Sequence, residues 1–389
     1  MICDNELMKK KVTVLYICPD PTLGGSTQSL LDMIESLRGL VKPIVLFGRE
    51  DSAFELFHNR GIECVVYPFI RLHFFSQTSS FMEILRHPRR IRIINLHCVE
   101  KACVKKVKEY LGSRSIDIVH SNYSSILIGH ELSVALKAKH VWHIREFLDP
   151  GVHVPNRPFG GYTLLKFLIN RADARIVISH QAQAHWGFKQ KNTWIIYDAV
   201  AKASDSGYCS EKKPYILFCS YHITEAKGAI IVVKAFGISG LNKDGIRLSF
   251  VGNCTDEMHS QIMGIAKKYE CADSIDFIPC QEDVKPFFMN AKAFIMASVN
   301  EGLGRVTAEA MFYGCPVIAK DSGGTKDLIS DQQTGYLFRT EDECASLMRQ
   351  VCFSSQEDLI KRAQDFAVSN LSVEVYGPRI MEVYNSVLS

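Results

Sequence analysis

Short apolar runs recur along this chain, and each is followed by residues whose apolar positions fall at helical spacing. The runs lie at 11–18, 42–48, 62–69, 116–122, 139–145, 175–179 and 193–197, then at 215–220, 247–252, 274–278, 293–298 and 316–320. Such alternation restricts the fold more than any other feature. A strand rejoins a parallel neighbour only through a long crossover, usually a helix. Runs that are apolar throughout belong to strands covered by helices on both faces. The alternation happens in two series. Between them, residues 201–213 are polar, rich in Ser, Gly and charge, and without periodicity. We expect a first α/β domain over 1–200, a linker over 201–213, a second α/β domain over 214–371 and a closing helix over 372–389. A length of 389 residues suits two domains of ordinary size. Ligands of such sheets bind beyond the carboxyl ends of the strands.

Composition narrows the class. Hydrophobic residues make up 47% of the chain, enough for two cores. Its 13 cysteines are scattered and include no Cys-x-x-Cys pair, so a reducing cytoplasm is expected rather than a disulfide framework. No apolar run has the length of a membrane span. The first eleven residues are polar and run into a strand, with no signal peptide, and Met8 offers a second start. Net charge is +3 but unevenly placed: from 71 to 110 there are nine Lys or Arg against three Glu. Within it the segment Arg86–Lys108 interleaves basic and apolar residues. It reads as a patch for an anionic membrane surface, with a solvated helix face as the alternative. No nucleic-acid partner is expected.

Chemistry concentrates at residues 300–320. The pattern is a strand end, a turn with Glu301, Gly302, Leu303 and Gly304, a short helix carrying Glu309, and a second strand. A helix N-terminus offers free N–H groups and a positive dipole end to a phosphate. Bare glycines let the phosphate come close. Two carboxylates beside it repel phosphate but accept hydrogen bonds from hydroxyls. A ligand with phosphate in the middle and hydroxyls at both ends fits, and a nucleotide sugar has that form.

Residues 301–310 (Glu-Gly-Leu-Gly-Arg-Val-Thr-Ala-Glu-Ala), 314–319 (Gly-Cys-Pro-Val-Ile-Ala) and 322–327 (Ser-Gly-Gly-Thr-Lys-Asp) resemble the donor-site signature of glycosyltransferase family 4. That resemblance implies the GT-B architecture: α/β, with two Rossmann-like domains facing a central cleft and a C-terminal helix crossing back to the first domain. It implies a retaining glycosyltransferase that moves a hexose-type sugar from a nucleoside-diphosphate sugar to a saccharide or lipid-linked acceptor, in cell-surface polysaccharide or glycoconjugate synthesis. No metal or other cofactor is expected, and the chain has no Asp-x-Asp. The implied place is cytoplasmic, peripheral on the inner face of the membrane. Glu301 would hold sugar hydroxyls and Glu309 the ribose hydroxyls.

The resemblance extends, more loosely, to other positions. Gly24 and Gly25 follow the first strand, with Ser26 as a candidate N-cap, and would lie against the donor phosphates or the acceptor. Lys227-Gly228 matches the family's Lys-Gly, so Lys227 is expected on the donor diphosphate. The family's preceding Gly-Arg is replaced by Tyr221 and His222, and His222 substitutes for arginine only in part, because its charge depends on pH. Where many members have a His and an acidic residue, this chain has Arg145 and Glu146. An arginine does not shuttle protons at neutral pH, but its fork suits a phosphate or acceptor oxygen. His143 shares a strand face with Arg145 and is a candidate neutral donor. Catalytic candidates are therefore Glu301, Lys227, His143 and Arg145. Donor-site candidates are Gly24, Gly25, His222, Lys227, Glu301, Gly302, Leu303, Gly304 and Glu309. Two rival readings stay open: a GT-B sugar-nucleotide epimerase and a decayed sugar-nucleotide-binding protein. A nicotinamide dehydrogenase is disfavoured, since no Gly-x-Gly-x-x-Gly follows the first strand.

Overall fold

A computed structural model describes residues 11–70, 89–148 and 161–389, and the side chains of 98–148 and 164–389 within the last two stretches. The chain divides into two units. One holds residues 1–177, 188–194 and 377–389; the other holds 178–187 and 195–376.

Among its described residues the first unit has seven strands: β1 (Val12–Cys18), β2 (Val41–Phe47), β3 (Glu63–Val66), β4 (Ile118–Ser121), β5 (Lys139–Ile144), β6 (Ala174–Val177) and β7 (Thr193–Ile195). Their order is β3-β2-β1-β4-β5-β6-β7, and the registered pairs are parallel. β1 and β2 carry unbroken buried runs because both faces are covered. β3 and β7 were expected as buried strands too. They are the sheet edges and only half-buried, so an apolar run did not by itself distinguish edge from centre.

Helices α1 (Gly25–Ser36), α2 (Ser52–Asn59), α3 (Arg89–Leu111), α4 (Ile128–Leu136) and α5 (Gly161–Asn170) fill the crossovers. The N-cap of α1 is Gly24 and not Ser26, which lies inside the helix; no side chain caps it. In α3, Cys103, Val107 and Leu111 are buried at i, i+4, i+8, while Lys101, Lys105 and Lys108 are exposed. Arg86 lies outside the described residues, as do the side chains of Arg89, Arg90 and Arg92 and the two candidate starts, Met1 and Met8.

The second unit begins, in sequence, with α6 (His180–Trp186). Its sheet has six strands: β8 (Tyr215–Ile223), β9 (Arg247–Cys254), β10 (Ile275–Ile278), β11 (Ala293–Met296), β12 (Val317–Lys320) and β13 (Tyr336–Phe338). The order, β10-β9-β8-β11-β12-β13, repeats the topology of the first sheet. Helices α7 (Ala229–Ser239), α8 (Asp256–Lys268), α9 (Lys285–Asn290), α10 (Arg305–Phe312), α11 (Thr325–Leu328), α12 (Glu341–Phe353) and α13 (Glu357–Leu371) complete it. α7 is apolar nearly all round because Val232, Val233 and Phe236 are sealed in one core with Met348 and Val351 of α12. Residues 201–213 are tied along this unit: Lys212 Nζ donates to the carbonyls of Met289 and Gly314 at 2.7 and 2.8 Å.

The last helix, α14 (Val373–Leu388), runs without a break across Pro378. Tyr376, Ile380, Val383, Tyr384 and Val387 are buried along one stripe, and from Gly377 onward the helix belongs to the first unit. The architecture is the GT-B fold, two doubly wound α/β sheets in one chain.

Candidate active site

In each unit the strand order reverses between the first strand and the fourth. Open α/β sheets bind ligands at that switch point, outside the carboxyl ends. In the second unit the switch lies between β8 and β11. The loop after β8 carries Lys227, and the loop after β11 carries Glu301. They meet: Lys227 Nζ is 2.6 Å from Glu301 Oε1, with the lysine side chain 44% exposed and the carboxylate 15%. Gly228 makes this approach sterically feasible. Its φ is +85°, and a Cβ there would sit 2.4 Å from the Ala297 carbonyl oxygen.

His222 is not in that loop. Strand β8 runs on to Ile223, with an irregularity between Cys219 and His222, and His222 pairs with Asn253 of β9. The apolar run was read only to residue 220, although Tyr-His-Ile is compatible with a strand and no glycine ends it. His222 is exposed and packs edge-on against Tyr221, ring centroids 4.7 Å apart.

Gly304 caps α10 at φ +89°, in the left-handed region. A Cβ there would lie 3.2 Å from both Thr307 Oγ1 and Thr325 Oγ1. Both threonines are buried, and neither hydroxyl has a hydrogen-bond partner. Two unspent hydroxyls therefore flank the start of α10, where the helix also presents its first amides. Leu303 is buried in the core with Ala308 and Met311 and anchors the loop. The loops 301–304 and 323–325 interlock: Gly324 N donates to the Glu301 carbonyl at 2.7 Å.

Glu309 accepts from Arg305 Nε at 3.0 Å, one turn earlier. Arg305 Nη1 in turn donates to the Ala199 carbonyl at 2.9 Å. Arg305 was legible as an i, i+4 partner of Glu309 but was not singled out. A segment distant in sequence also supports the site. Ser179, the N-cap of α6, donates its hydroxyl to the Gly302 carbonyl at 2.7 Å. Beside it Asp327 accepts from the His180 backbone N–H, and His180 Nδ1 lies 2.9 Å from the same carboxylate. No spacing in the sequence linked residue 179 to residue 302.

In the first unit, Gly24 and Gly25 open α1 after β1, and a Cβ on Gly25 would meet nothing within 4 Å. On the neighbouring strands one face carries a buried polar cluster. Arg145, 7% exposed, donates from Nε to Asn122 Oδ1 at 2.8 Å, and its Nη2 is 3.4 Å from His143 Nδ1. Asn122 donates to the Ser26 carbonyl at 3.1 Å, linking the cluster to α1. Glu146 is on the other face, accepting from the backbone N–H and hydroxyl of Ser124. His143 is sealed and held well below the ordinary imidazole pKa, first by burial and then by the Arg145 charge. Among the described residues no group of three or more His, Cys, Asp or Glu is arranged to hold a metal ion, and no helix is long and apolar enough to cross a membrane.

Residues 204–366 match the family model described as Glycosyl transferases group 1. Among curated proteins, an uncharacterized glycosyltransferase of Haemophilus influenzae is 25% identical over 239 residues, 60% of this chain and 65% of that protein. A Campylobacter jejuni GalNAc-alpha-(1->4)-GalNAc-alpha-(1->3)-diNAcBac-PP-undecaprenol alpha-1,4-N-acetyl-D-galactosaminyltransferase is 26% identical over 178 residues, 42% of this chain and 47% of that enzyme. The chain thus spans less than two thirds of the length of these relatives. Among solved structures, Anabaena Alr3699/HepE in complex with UDP and glucose superimposes with a TM-score of 0.76 at 17% identity, covering 96% of this chain and all of that one. A single-residue mutant of Staphylococcus aureus TarM aligns with a TM-score of 0.73 at 11% identity over 96% of this chain and 100% of its own.

Proposed function

Residues 204–366 form a domain of the group 1 glycosyltransferases, and from that premise we propose that this protein is a retaining, nucleotide-sugar-dependent glycosyltransferase. The observation that carries the reading is the Lys227–Glu301 pair at the switch point of the second sheet, beside a glycine-capped helix with two unspent hydroxyls.

The chemistry follows from that arrangement. A nucleoside diphosphate leaves the anomeric carbon as negative charge builds on its oxygens. Lys227, the α10 amides and the Thr307 and Thr325 hydroxyls are the groups in place to meet that charge, as electrostatic preorganisation. Glu301 accepts from sugar hydroxyls, and Glu309, oriented by Arg305, from the ribose. The acceptor oxygen bonds to the anomeric carbon on the face the diphosphate leaves. The bonding pair of the breaking C–O bond departs with the phosphate, which takes the acceptor proton. No protein carboxylate is needed as nucleophile, and no divalent ion is assigned a role. The transferred sugar is a hexose and the acceptor a saccharide or a lipid-linked saccharide.

HepE, the structural neighbour, is seen with UDP and with UDP-glucose. Those two are the first ligands to test. Calorimetry with UDP, UDP-glucose, UDP-galactose and UDP-N-acetylglucosamine, followed by assay of UDP release in EDTA, checks the proposal. Binding and turnover in chelator are expected. A folded protein that binds no nucleotide sugar of any base would overturn it, and activity that needs added magnesium would overturn the metal-free mechanism.

A further inference from the structure

The polar cluster of the first unit extends further than its arginine. His143 Nδ1 is 3.3 Å from His120 Nε2 as well as 3.4 Å from Arg145 Nη2. His120 Nδ1 is 2.8 Å from the hydroxyl of Tyr384, on α14. The Tyr16 hydroxyl lies 3.2 Å from that of Tyr384 and closes the chain. Tyr16, His120, His143 and Tyr384 are all at 0% exposure.

The proton positions in this chain follow from one residue. A guanidinium only donates. The nitrogen that faces it, His143 Nδ1, must therefore be the acceptor. His120 Nε2, facing the same nitrogen, must carry a proton and donate it. His120 Nδ1 is then bare and accepts from Tyr384. For His143 one place remains: its proton sits on Nε2. That nitrogen is buried and has no hydrogen-bond partner. A buried donor without an acceptor is unfavourable, and such groups are uncommon in native proteins.

We propose that Arg145, together with His120 and Tyr384, is a positioning residue that locks His143 as a neutral imidazole with its proton on Nε2. His143 then holds a fixed, uncharged donor near the carboxyl end of β5, sealed in the free protein, so that a neutral hydroxyl or carbonyl oxygen of a saccharide, and not a phosphate, meets it only once that seal opens. The choice of ligand rests on the transferase reading; the proton arrangement does not. Arg145 acts through His143 and is not a contact to the diphosphate.

Side-chain NMR of His143, labelled with 15N and 13C in the intact protein, reads the arrangement without any substrate. The Nε2–H tautomer, unprotonated from pH 5 to 8, is expected. Arg145→Lys should preserve it, because an ammonium also only donates. Arg145→Gln should release it, because an amide offers an acceptor too. In the assay, Arg145→Gln should lower kcat at least tenfold while the calorimetric Kd for the nucleotide sugar stays within twofold. An Nδ1–H tautomer in the wild type overturns the proposal while leaving the transferase reading intact. A tenfold weaker Kd in Arg145→Gln would make the arginine a donor ligand and also overturn it. If no transfer is detected at all, the NMR result still decides the tautomer.

Discussion

Lys227 and Glu301, 74 residues apart, form an ion pair of 2.6 Å between the loops that follow β8 and β11. A diphosphate and a sugar arriving at these loops would separate two charges that already satisfy each other. On the proposed function, Lys227 would then turn to the phosphates and Glu301 to hydroxyls. Substituting either one leaves the other charge unpaired in the free protein.

Lys227→Ala should therefore weaken donor binding and slow transfer together, because the ammonium meets charge that is present in the ground state and grows in the transition state. Hydrogen bonds to charged groups contribute about 1.5–3 kcal/mol, so a loss of roughly tenfold to a hundredfold in kcat/KM is expected. Glu301→Gln should mainly lower kcat. Steady-state kinetics on both variants, with calorimetry for Kd, separates the two. Unchanged kcat/KM in a folded Lys227→Ala protein removes the lysine from the site.

Glu309→Gln should raise the donor Kd by about the same 1.5–3 kcal/mol, since a charged acceptor becomes an amide. Arg305→Ala should give a smaller effect in the same direction, because the carboxylate survives but loses the group that orients it. Equal donor affinity in wild type and Glu309→Gln would refute the ribose assignment.

The first unit should lose stability in acid. His120, His140 and His143 are buried and neutral; burial lowers each, with a further push from Arg145 on His120 and His143 and from His130 on His140, whose pKa falls to about 3. Imidazoles with depressed folded pKa values contribute stability above the ordinary value of 6.5, and this is lost as pH falls from there toward the folded values. Urea midpoints of the first unit should drop between pH 7 and pH 5. His140→Gln should flatten that slope by about one proton. A midpoint independent of pH over this window would contradict buried neutral histidines.

The basic face of α3 should hold the protein on anionic membranes. Lys101, Lys105 and Lys108 are exposed while Cys103, Val107 and Leu111 are buried. Each basic residue near such a surface contributes about 1 kcal/mol, and salt screens it. Co-sedimentation with phosphatidylglycerol vesicles is expected at low ionic strength. Reversal of Lys101, Lys105 and Lys108 to Glu should abolish it yet leave UDP release from the donor unchanged. If the wild type fails to sediment even at low salt, this face is only solvated.

Most of the fold was readable in the chain, because buried parallel strands are apolar on both faces and stand out from amphipathic helices. Among the described residues, twelve of the thirteen strands fall on the twelve apolar runs, and the thirteenth, at 336–338, is too short to stand out. The turn over 301–304 and the short helix after it were readable too, since the glycines there mark the backbone turn that opens the helix. What escaped were relations between distant segments. Ser179 serves Gly302, and Tyr384 serves His120, through contacts that no local period encodes. His222 escaped for a different reason: the strand continues through an irregularity after Cys219, past the end of the unbroken apolar run. Arg145 read as a ligand for a phosphate or an acceptor oxygen from its type alone, and its bond to Asn122 was not legible in the sequence.

The chain passes between its two units at residues 177, 187, 194 and 376, so neither unit is one continuous piece. This matters for anyone who recombines such proteins. A single cut near residue 200, where the apolar series divide, would give a C-terminal fragment without the hydroxyl that holds Gly302, and an N-terminal fragment without the tyrosine that holds His120. The second unit can be transplanted whole only if 178–187 travels with 195–376 while the final thirteen residues stay with their host.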